Sequence, residues 1–351
     1  MRRSRGLFER ILDRSNFRRA VARAARGKRH RPVTRRLLAD LEERCGEIAD
    51  QLRNASYPFG KCAQFLIHDP KERLITAPAF EERVIHHAVI QVCEPRFESW
   101  LIDDTFACRT GRGRLAAIDR ARLFSGRHSH FLKLDIRKYF DSVSHPILRR
   151  LLRRLFADRP LLDLFDQIIG AYRGLERRGL PIGSLTSQHF ANFYLGWFDR
   201  QVKEVWRVPG YVRYMDDMVL WSDSAAELRF LLRELTTWLE TTLELQLKPR
   251  PYINRVGHGI DFLSARVYPT YHTVSRKARV RIGRRWRYLQ RQWEAGTIAE
   301  AEFQRRATSL FAFLTAGGAD TKTFRERLLR RSNGIVVKLE EGGRSPCEEE
   351  F

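Results

Sequence analysis

Asp135 closes the run His130–Leu134 (HFLKL), and Asp216 with Asp217 interrupts a second apolar stretch, YVRYMDDMVLWSD. Carboxylates are rarely placed inside apolar strands unless they are paired or bind cations. Three of them converging repel one another, and a divalent metal relieves that repulsion. Two Mg2+ ions about 3.5–4 Å apart would suit nucleotidyl transfer, activating an attacking 3′-hydroxyl and stabilising a departing pyrophosphate. The plain alternative is that all three are turn or capping aspartates, because acidic residues are common in turns.

The elements that must position these carboxylates follow from hydrophobic spacing. Residues 7–54 read as helical, with apolar positions three and four apart (Leu7, Phe8, Ile11, Leu12; Leu37, Leu38, Leu41, Ile48, Leu52) and a basic connector, ARGKRHRP, between the two stretches. Tyr57-Pro58-Phe59-Gly60 breaks the helix, and two short strands follow, around Gln64–Ile67 and Arg73–Ala77, turned through Asp69-Pro70-Lys71. A helical pattern resumes over 79–101; the glycine-rich basic loop CRTGRGR then leads to a helix at about 114–124. HFLKL reads as a buried strand with Asp135 at its end. Helices are expected over 145–156 and 159–172 and, after the turn Leu180-Pro181-Ile182-Gly183, from Ser184 to Val205. Tyr211–Tyr214 and Met218–Trp221 form a hairpin with the acidic pair at its tip. A helix over 225–243, a short hairpin over 259–269 and basic helices to about 332 complete the ordered part; EEGGRSPCEEEF reads as a disordered tail.

Bulk properties narrow the partners. The 351 residues are 43% hydrophobic, enough for two or three packed subdomains, and the formal net charge is +23. Such a charge points to nucleic acid, an anionic membrane or an acidic protein. With no apolar run of about 18 residues a spanning helix is not expected, and the basic N-terminus lacks the apolar core of a secretory signal. Nucleic acid and a cytoplasmic location are therefore expected. The scattered cysteines Cys45, Cys62, Cys93, Cys108 and Cys347 have no zinc-site spacing, and the neighbours His86 and His87 point about 100° apart on a helix, so both sets read as packing or surface residues.

Tyr214-Met215-Asp216-Asp217 resembles the hallmark palm motif of reverse transcriptases, and FLKLDIRKYFDSVSH resembles the palm motif that precedes it. The resemblance extends from about residue 7 to 330. It implies an α+β right-hand polymerase fold with fingers, a palm built on an antiparallel sheet, and a helical thumb. The implied division is a basic N-terminal helical extension (1–56), fingers with the start of the palm (57–130), palm with inserted fingers helices at about 145–180 (131–270), thumb (271–335) and tail (336–351). It implies an RNA-directed DNA polymerase using two Mg2+ ions, with Asp135, Asp216 and Asp217 as ligands and the Ile136 carbonyl assisting. Phe140 falls where an aromatic sits under the incoming sugar and would clash with a ribose 2′-hydroxyl; the bland reading is ordinary core beside Tyr139. Lys71, Arg73 and Arg83, in DPKERLITAPAFEERV, fall where the triphosphate is gripped, and guanidinium forks suit phosphate oxygens, Arg73 being favoured. Lys248 matches a lysine that protonates the pyrophosphate. GIDFLSARVYP resembles the primer grip, placing Phe262 and Leu263, with Tyr214, against nucleic acid. In SRKARVRIGRRWRYLQRQW, Arg276, Lys277, Arg284 and Arg285, interleaved with Trp286, Tyr288 and Trp293, suit phosphates and stacking; a solvated basic face is the alternative.

Within that superfamily, GLPIGSLTSQHFANFYL is the informative segment. Most reverse transcriptases carry glutamine-glycine before this loop and serine-proline at its end, where this chain has Ile182-Gly183 and Ser187-Gln188. The exchange resembles the reverse transcriptases of diversity-generating retroelements, which copy a template RNA with errors at adenines; ARGKRHR, YPFG, ERVIHHA and ACRTGRGR agree. Ile182 and Gly183 would then lie where other members place a glutamine against the nascent base pair, and Gln188 would join them in binding the dNTP. The implied partners are template RNA, primer and cDNA, dNTPs and a small basic accessory protein, with no membrane. Departures from the pattern are FLSA where FLGY is usual, Arg114-Leu115 in place of threonine-histidine, and FAFLTAGGAD, only loosely similar to a tryptophan-containing segment. The alternatives are a retron-like or phage-defence enzyme and a catalytically silent RNA-binding scaffold. Template, target gene, priming mechanism and oligomeric state are not written in the sequence.

Overall fold

The computed structural model describes residues 3–68, 72–171 and 177–330, so Lys71 and the expected tail lie outside them. Along the chain run α1 (Leu7–Leu12), α2 (Arg14–Ala24), α3 (Pro32–Ala39) and α4 (Leu41–Arg53), then β1 (Cys62–Ile67), β2 (Arg73–Pro78), α5 (Phe80–Glu98) and α6 (Arg114–Ser125). Next come β3 (His130–Asp135), α7 (Tyr139–Ser142), α8 (His145–Leu155), α9 (Arg159–Ala171) and α10 (Leu185–Arg200), the last continuing as a π-helical turn to Val205. Then follow β4 (Gly210–Tyr214), β5 (Asp217–Ser222), α11 (Ala225–Thr242), β6 (Tyr252–Arg255), β7 (Ile260–Phe262), β8 (Ala265–Val267), β9 (His272–Val274), α12 (Arg276–Glu294), α13 (Glu300–Thr315) and α14 (Lys322–Arg330).

These elements fall into two compact units. The first combines the N-terminal residues through Asp103 with Ile136–Gln201 and Glu234–Lys248; the second combines Asp104–Asp135, Val202–Arg233 and the chain from Pro249 onward.

In the first unit α5 is the central helix, and α2 and α10 both pack on it. Its buried apolar residues recur on more than one side (Val84, Ile85 and Val89 on one, Phe80, Ile90 and Phe97 on the other), so it is buried nearly all round, as expected of a core helix. Phe97 near its end packs edge-on against Phe156, with centroids 5.4 Å apart, and lies equally close to Phe193. The amide ends of α1 find their partner far away in sequence. Gly6 at its N-cap has no side chain to offer, and the Asp158 carboxylate accepts from the amides of both Leu7 and Phe8. β1 and β2 form an antiparallel hairpin whose Phe65, Leu66 and Leu74 are exposed.

The second unit is built on a four-stranded antiparallel sheet of order β4-β5-β3-β6. Side chains alternate across it, and one face presents Phe131, Val212, Val219 and Trp221 to Ala117, Ile118, Ala121 and Phe124 of α6. The helix lies so close that a Cβ on Gly210 would come within 2.8 Å of Trp221 Cβ and 3.2 Å of the Phe124 ring. A three-stranded sheet, β7-β8-β9, extends the same core through Ile260, Phe262, Ala265 and Val267.

The hairpin expected over 259–269 thus gains a third strand, and the four-stranded sheet gains β6, which hydrophobic periodicity does not announce. Its residues, YINR, follow two prolines and are partly or fully exposed, as befits an edge strand. The C-terminal helices have a core of their own: Ala278, Ile282, Trp286 and Leu289 of α12 meet Phe303, Ala307, Phe311 and Leu314 of α13. This corrects the expected stacking role of Trp286, which is 1% exposed and packs edge-on against Phe311 at 5.3 Å. Spaced four after Ile282 and three before Leu289, it falls on the buried stripe.

Candidate active site

The acidic residues are placed by strand register. Asp135 is the last residue of β3 and Asp217 the first of β5, and the two stand directly opposite each other in the ladder. Facing residues of an antiparallel pair have Cβ atoms about 4.5–5.5 Å apart, so the carboxylates share one edge of one face. Asp216 precedes Asp217 in the two-residue turn that joins β4 to β5, with Tyr214 paired to Asp217 across it. Met215, the other turn residue, takes φ +53°, a left-handed conformation uncommon for a side chain of its size. From within the sheet, the fully buried Arg213 guanidinium donates to the Met215 carbonyl at 3.1 Å and so braces the tip. The Tyr214 hydroxyl has its pKa raised by burial, with nearby Cys108 adding to the effect.

The donor set of three aspartates from one sheet edge is the hard-oxygen chemistry that Mg2+ takes. Among the described residues no three acidic, histidine or cysteine side chains already converge as a metal cage. A cation of the chain stands beside the pair: Lys133 Nζ lies 3.2 Å from Asp217 Oδ1. Lys133 is on the same face of β3 as Asp135, two residues earlier. Sequence reasoning missed it and Arg213, although a lone lysine and a lone arginine inside apolar strands were the available signal.

A second group of expected site residues assembles within the first unit. Phe140, on the short α7, is half-buried with its ring edge-on to Tyr139, and its carbonyl accepts from the Leu180 amide at 2.8 Å. From that anchor the loop runs to β2, where the Thr76 amide donates to the Ile182 carbonyl at 2.8 Å. At Gly183, φ is +116°, and a Cβ there would come within 2.9 Å of the Thr76 carbonyl oxygen, so glycine is required at this approach. Phe140, Ile182, Gly183 and β2, which begins with the exposed Arg73, are therefore tied together by backbone bonds. Beneath the loop the Ser184 hydroxyl lies 3.0 Å from His86 Nδ1 and 3.0 Å from the Thr186 hydroxyl. His86 Nε2 is 3.7 Å from a carboxylate oxygen of Glu82, whose other oxygen accepts from the Gly60 amide at 3.0 Å. Burial holds the His86 pKa down at about 3, so the ring is neutral.

The remaining expected residues are more dispersed. Arg83 is turned inward over the Phe80 ring and donates to the Ala24 carbonyl at 3.2 Å, and burial lowers its pKa. Gln188 is half-buried in the first turn of α10. Ile136 is buried and pairs with Leu247, the residue before Lys248, in an isolated bridge. Phe262 is buried at the end of β7, and Leu263 with Ser264 forms the turn into β8. Arg276, Lys277, Arg284 and Arg285 all lie on the exposed side of α12.

Among solved structures the chain is similar to apo telomerase from Candida tropicalis, with a TM-score of 0.52 at 11% identity, covering 77% of this chain and 56% of that one. At that identity the likeness speaks for the fold: helices and antiparallel sheet arranged as in right-hand nucleic-acid polymerases. The chain belongs to the reverse transcriptase (RNA-dependent DNA polymerase) family, which matches residues 68–250, just over half of its length. Among curated proteins it is similar to Protein YkfC of Escherichia coli (strain K12), 26% identical over 56% of this chain and 63% of that protein. It is also similar to the putative COX1/OXI3 intron 1 protein of Saccharomyces cerevisiae, 21% identical over 45% of this chain and 20% of that protein. The chain thus spans less than two thirds of the length of either curated relative.

Proposed function

We propose that this chain is an RNA-directed DNA polymerase, and specifically the adenine-mutagenic reverse transcriptase of a diversity-generating retroelement. The observation that carries the first part is Asp135 facing Asp217 across β3 and β5 with Asp216 at the adjoining tip. Two bound Mg2+ ions would supply activation of the primer 3′-hydroxyl and charge stabilisation on the departing pyrophosphate. Asp135, Asp216 and Asp217, with the Ile136 carbonyl, would hold them. On this reading β3–β6 form the palm, β1, β2 and α5 belong to the fingers, and α12 to α14 form the thumb. Arg73, exposed at the start of β2, is the better-placed triphosphate ligand than the inward-turned Arg83. Phe140 selects against ribose, Lys248 supplies the proton for pyrophosphate, and the Leu263-Ser264 turn supports the primer end, with Phe262, 1% exposed in the core beneath it, anchoring the turn rather than touching nucleic acid. The exposed arginines of α12 and of the N-terminal helices take template RNA and the growing duplex. A small accessory protein of the retroelement is the expected protein partner.

The retroelement reading rests on Ile182-Gly183 and Ser187-Gln188. An aliphatic side chain at Ile182 removes a hydrogen bond that could report base geometry, a physical route to low fidelity. Sequencing cDNA made on a structured RNA with Mg2+ and dNTPs, with and without the accessory protein, tests this directly. Errors concentrated at template adenines, and fewer of them with Ile182→Gln, are expected. An error spectrum unchanged by the substitution would remove Ile182 from the account. Faithful cDNA would leave a polymerase of the retron-like or phage-defence kind.

A further inference from the structure

Lys133 makes contacts on two sides. Its ammonium lies 3.2 Å from Asp217 Oδ1 and 3.4 Å from Oδ2. It also donates to the backbone carbonyl of Asp261 and sits 5.8 Å from the centroid of the Phe262 ring. Asp261 and Phe262 belong to β7, the strand that leads into the Leu263-Ser264 turn. An ammonium has three donors and no acceptor, so one lysine can serve a carboxylate and a carbonyl together. The carbonyl it uses lies on the β7–β8 hairpin, and the carboxylate is one that faces Asp135.

We infer that Lys133 is a positioning residue that couples the Asp217 carboxylate to the β7–β8 hairpin, linking the metal site to the seat of the primer end. This inference rests on the polymerase reading given above. Two consequences follow from its charge and its donors. As a cation beside Asp217, Lys133 competes with a divalent ion for that carboxylate, so its removal makes the acidic edge more attractive to metal. As a donor to Asp261, it fixes the hairpin's height above the sheet, so its removal loosens the primer end without touching the residues assigned to the nucleotide. A lysine that only offsets charge near two aspartates would produce the first effect and not the second.

The test compares full-length wild type, Lys133→Met, Lys133→Gln and Lys133→Arg. Mn2+ is titrated without nucleic acid, with free Mn2+ read by its EPR signal, and KM is measured separately for an annealed RNA template–DNA primer and for dNTP. Mn2+ binding is expected to tighten roughly two- to five-fold in Lys133→Met and Lys133→Gln, the scale set by a partly exposed ion pair. The primer–template KM should rise about tenfold in Lys133→Met, less in Lys133→Gln, whose amide still donates, and be restored by Lys133→Arg, while any change in the dNTP KM stays within the roughly two- to five-fold scale of the metal effect. Mn2+ affinity that is unchanged or weaker overturns the inference, and so does an unchanged primer–template KM. Lys133→Gln keeps most of the side-chain bulk, so it decides the matter should Lys133→Met fail to fold. Absence of extension by wild type would sink the polymerase reading, while the Mn2+ titration would still decide the link between Lys133 and Asp217.

Discussion

Ser264 and its neighbour Leu263 take φ values of +65° and +48°, which puts both residues of the β7–β8 turn in the left-handed region. Two-residue hairpin loops of this kind favour asparagine and glycine, because a Cβ crowds the backbone there. That gives physical content to one departure from the family pattern, FLSA in place of FLGY: serine occupies a position whose backbone suits glycine. Ser264→Gly is accordingly expected to stabilise the protein by about 1 kcal/mol, read as a rise in the urea midpoint at unchanged slope. A lower midpoint would mean that the serine side chain is held by something worth more than its strain. Two other departures also gain a reason. Arg114 lies over the Phe313 ring at 4.7 Å, and Leu115 sits where a Cβ on Gly317 would come within 2.9 Å of it. The Arg114-Leu115 pair and the loosely similar FAFLTAGGAD segment therefore meet each other.

Among the elements, α5 carries the most consequential buried chemistry. Its His86 is fully buried beside Ser184 and Glu82, burial holds its pKa down at about 3, and His87 and His189 are held at about 4 by the same cause. Each folded-state value lies below the 6.5 of an exposed imidazole, so below that pH the unfolded chain takes up protons that the folded chain does not. Stability is therefore present in full above about pH 6.5 and falls as the pH drops toward 4. His86 alone should account for about 2 kcal/mol between pH 6.5 and 5. Denaturant midpoints across that range are expected to fall, and to fall less steeply in His86→Gln; identical slopes would remove His86 from the explanation. The elements differ in how well the sequence announces them. The acidic hairpin, the strand ending at Asp135 and the long helices are legible because period and length agree with burial. β6, β9 and α7 are not, since each is short and either edge-exposed or bounded by turn residues, and only pairing with distant partners such as His130–Lys133 defines β6. Asp158 capping α1, and the Thr76–Ile182 bond that closes the loop on β2, are long-range contacts of the same kind that spacing cannot reveal.

For the whole molecule, a formal charge of +23 concentrates in arginines that the fold leaves on surfaces, on α12 and around the N-terminal helices, while the acidic edge of the sheet gathers three aspartates. A surface so rich in arginine suits a protein that holds phosphate backbones broadly. No helix among the described residues is long and apolar enough to cross a membrane. The sequence makes the three aspartates legible because they break apolar strands, but it conceals Lys133, whose role depends on a carbonyl 128 positions away along the chain. Whether Asp135, Asp216 and Asp217 form a metal-dependent polymerase site is decided by primer extension on an RNA template with Mg2+ and dNTPs, comparing wild type with Asp216→Ala. The expected result is cDNA from wild type and incorporation lower by at least about a thousand-fold in the variant, with RNA binding retained. Equal incorporation by the two proteins would remove Asp216 from the chemistry, and bound RNA with no extension by wild type would leave an RNA-binding scaffold.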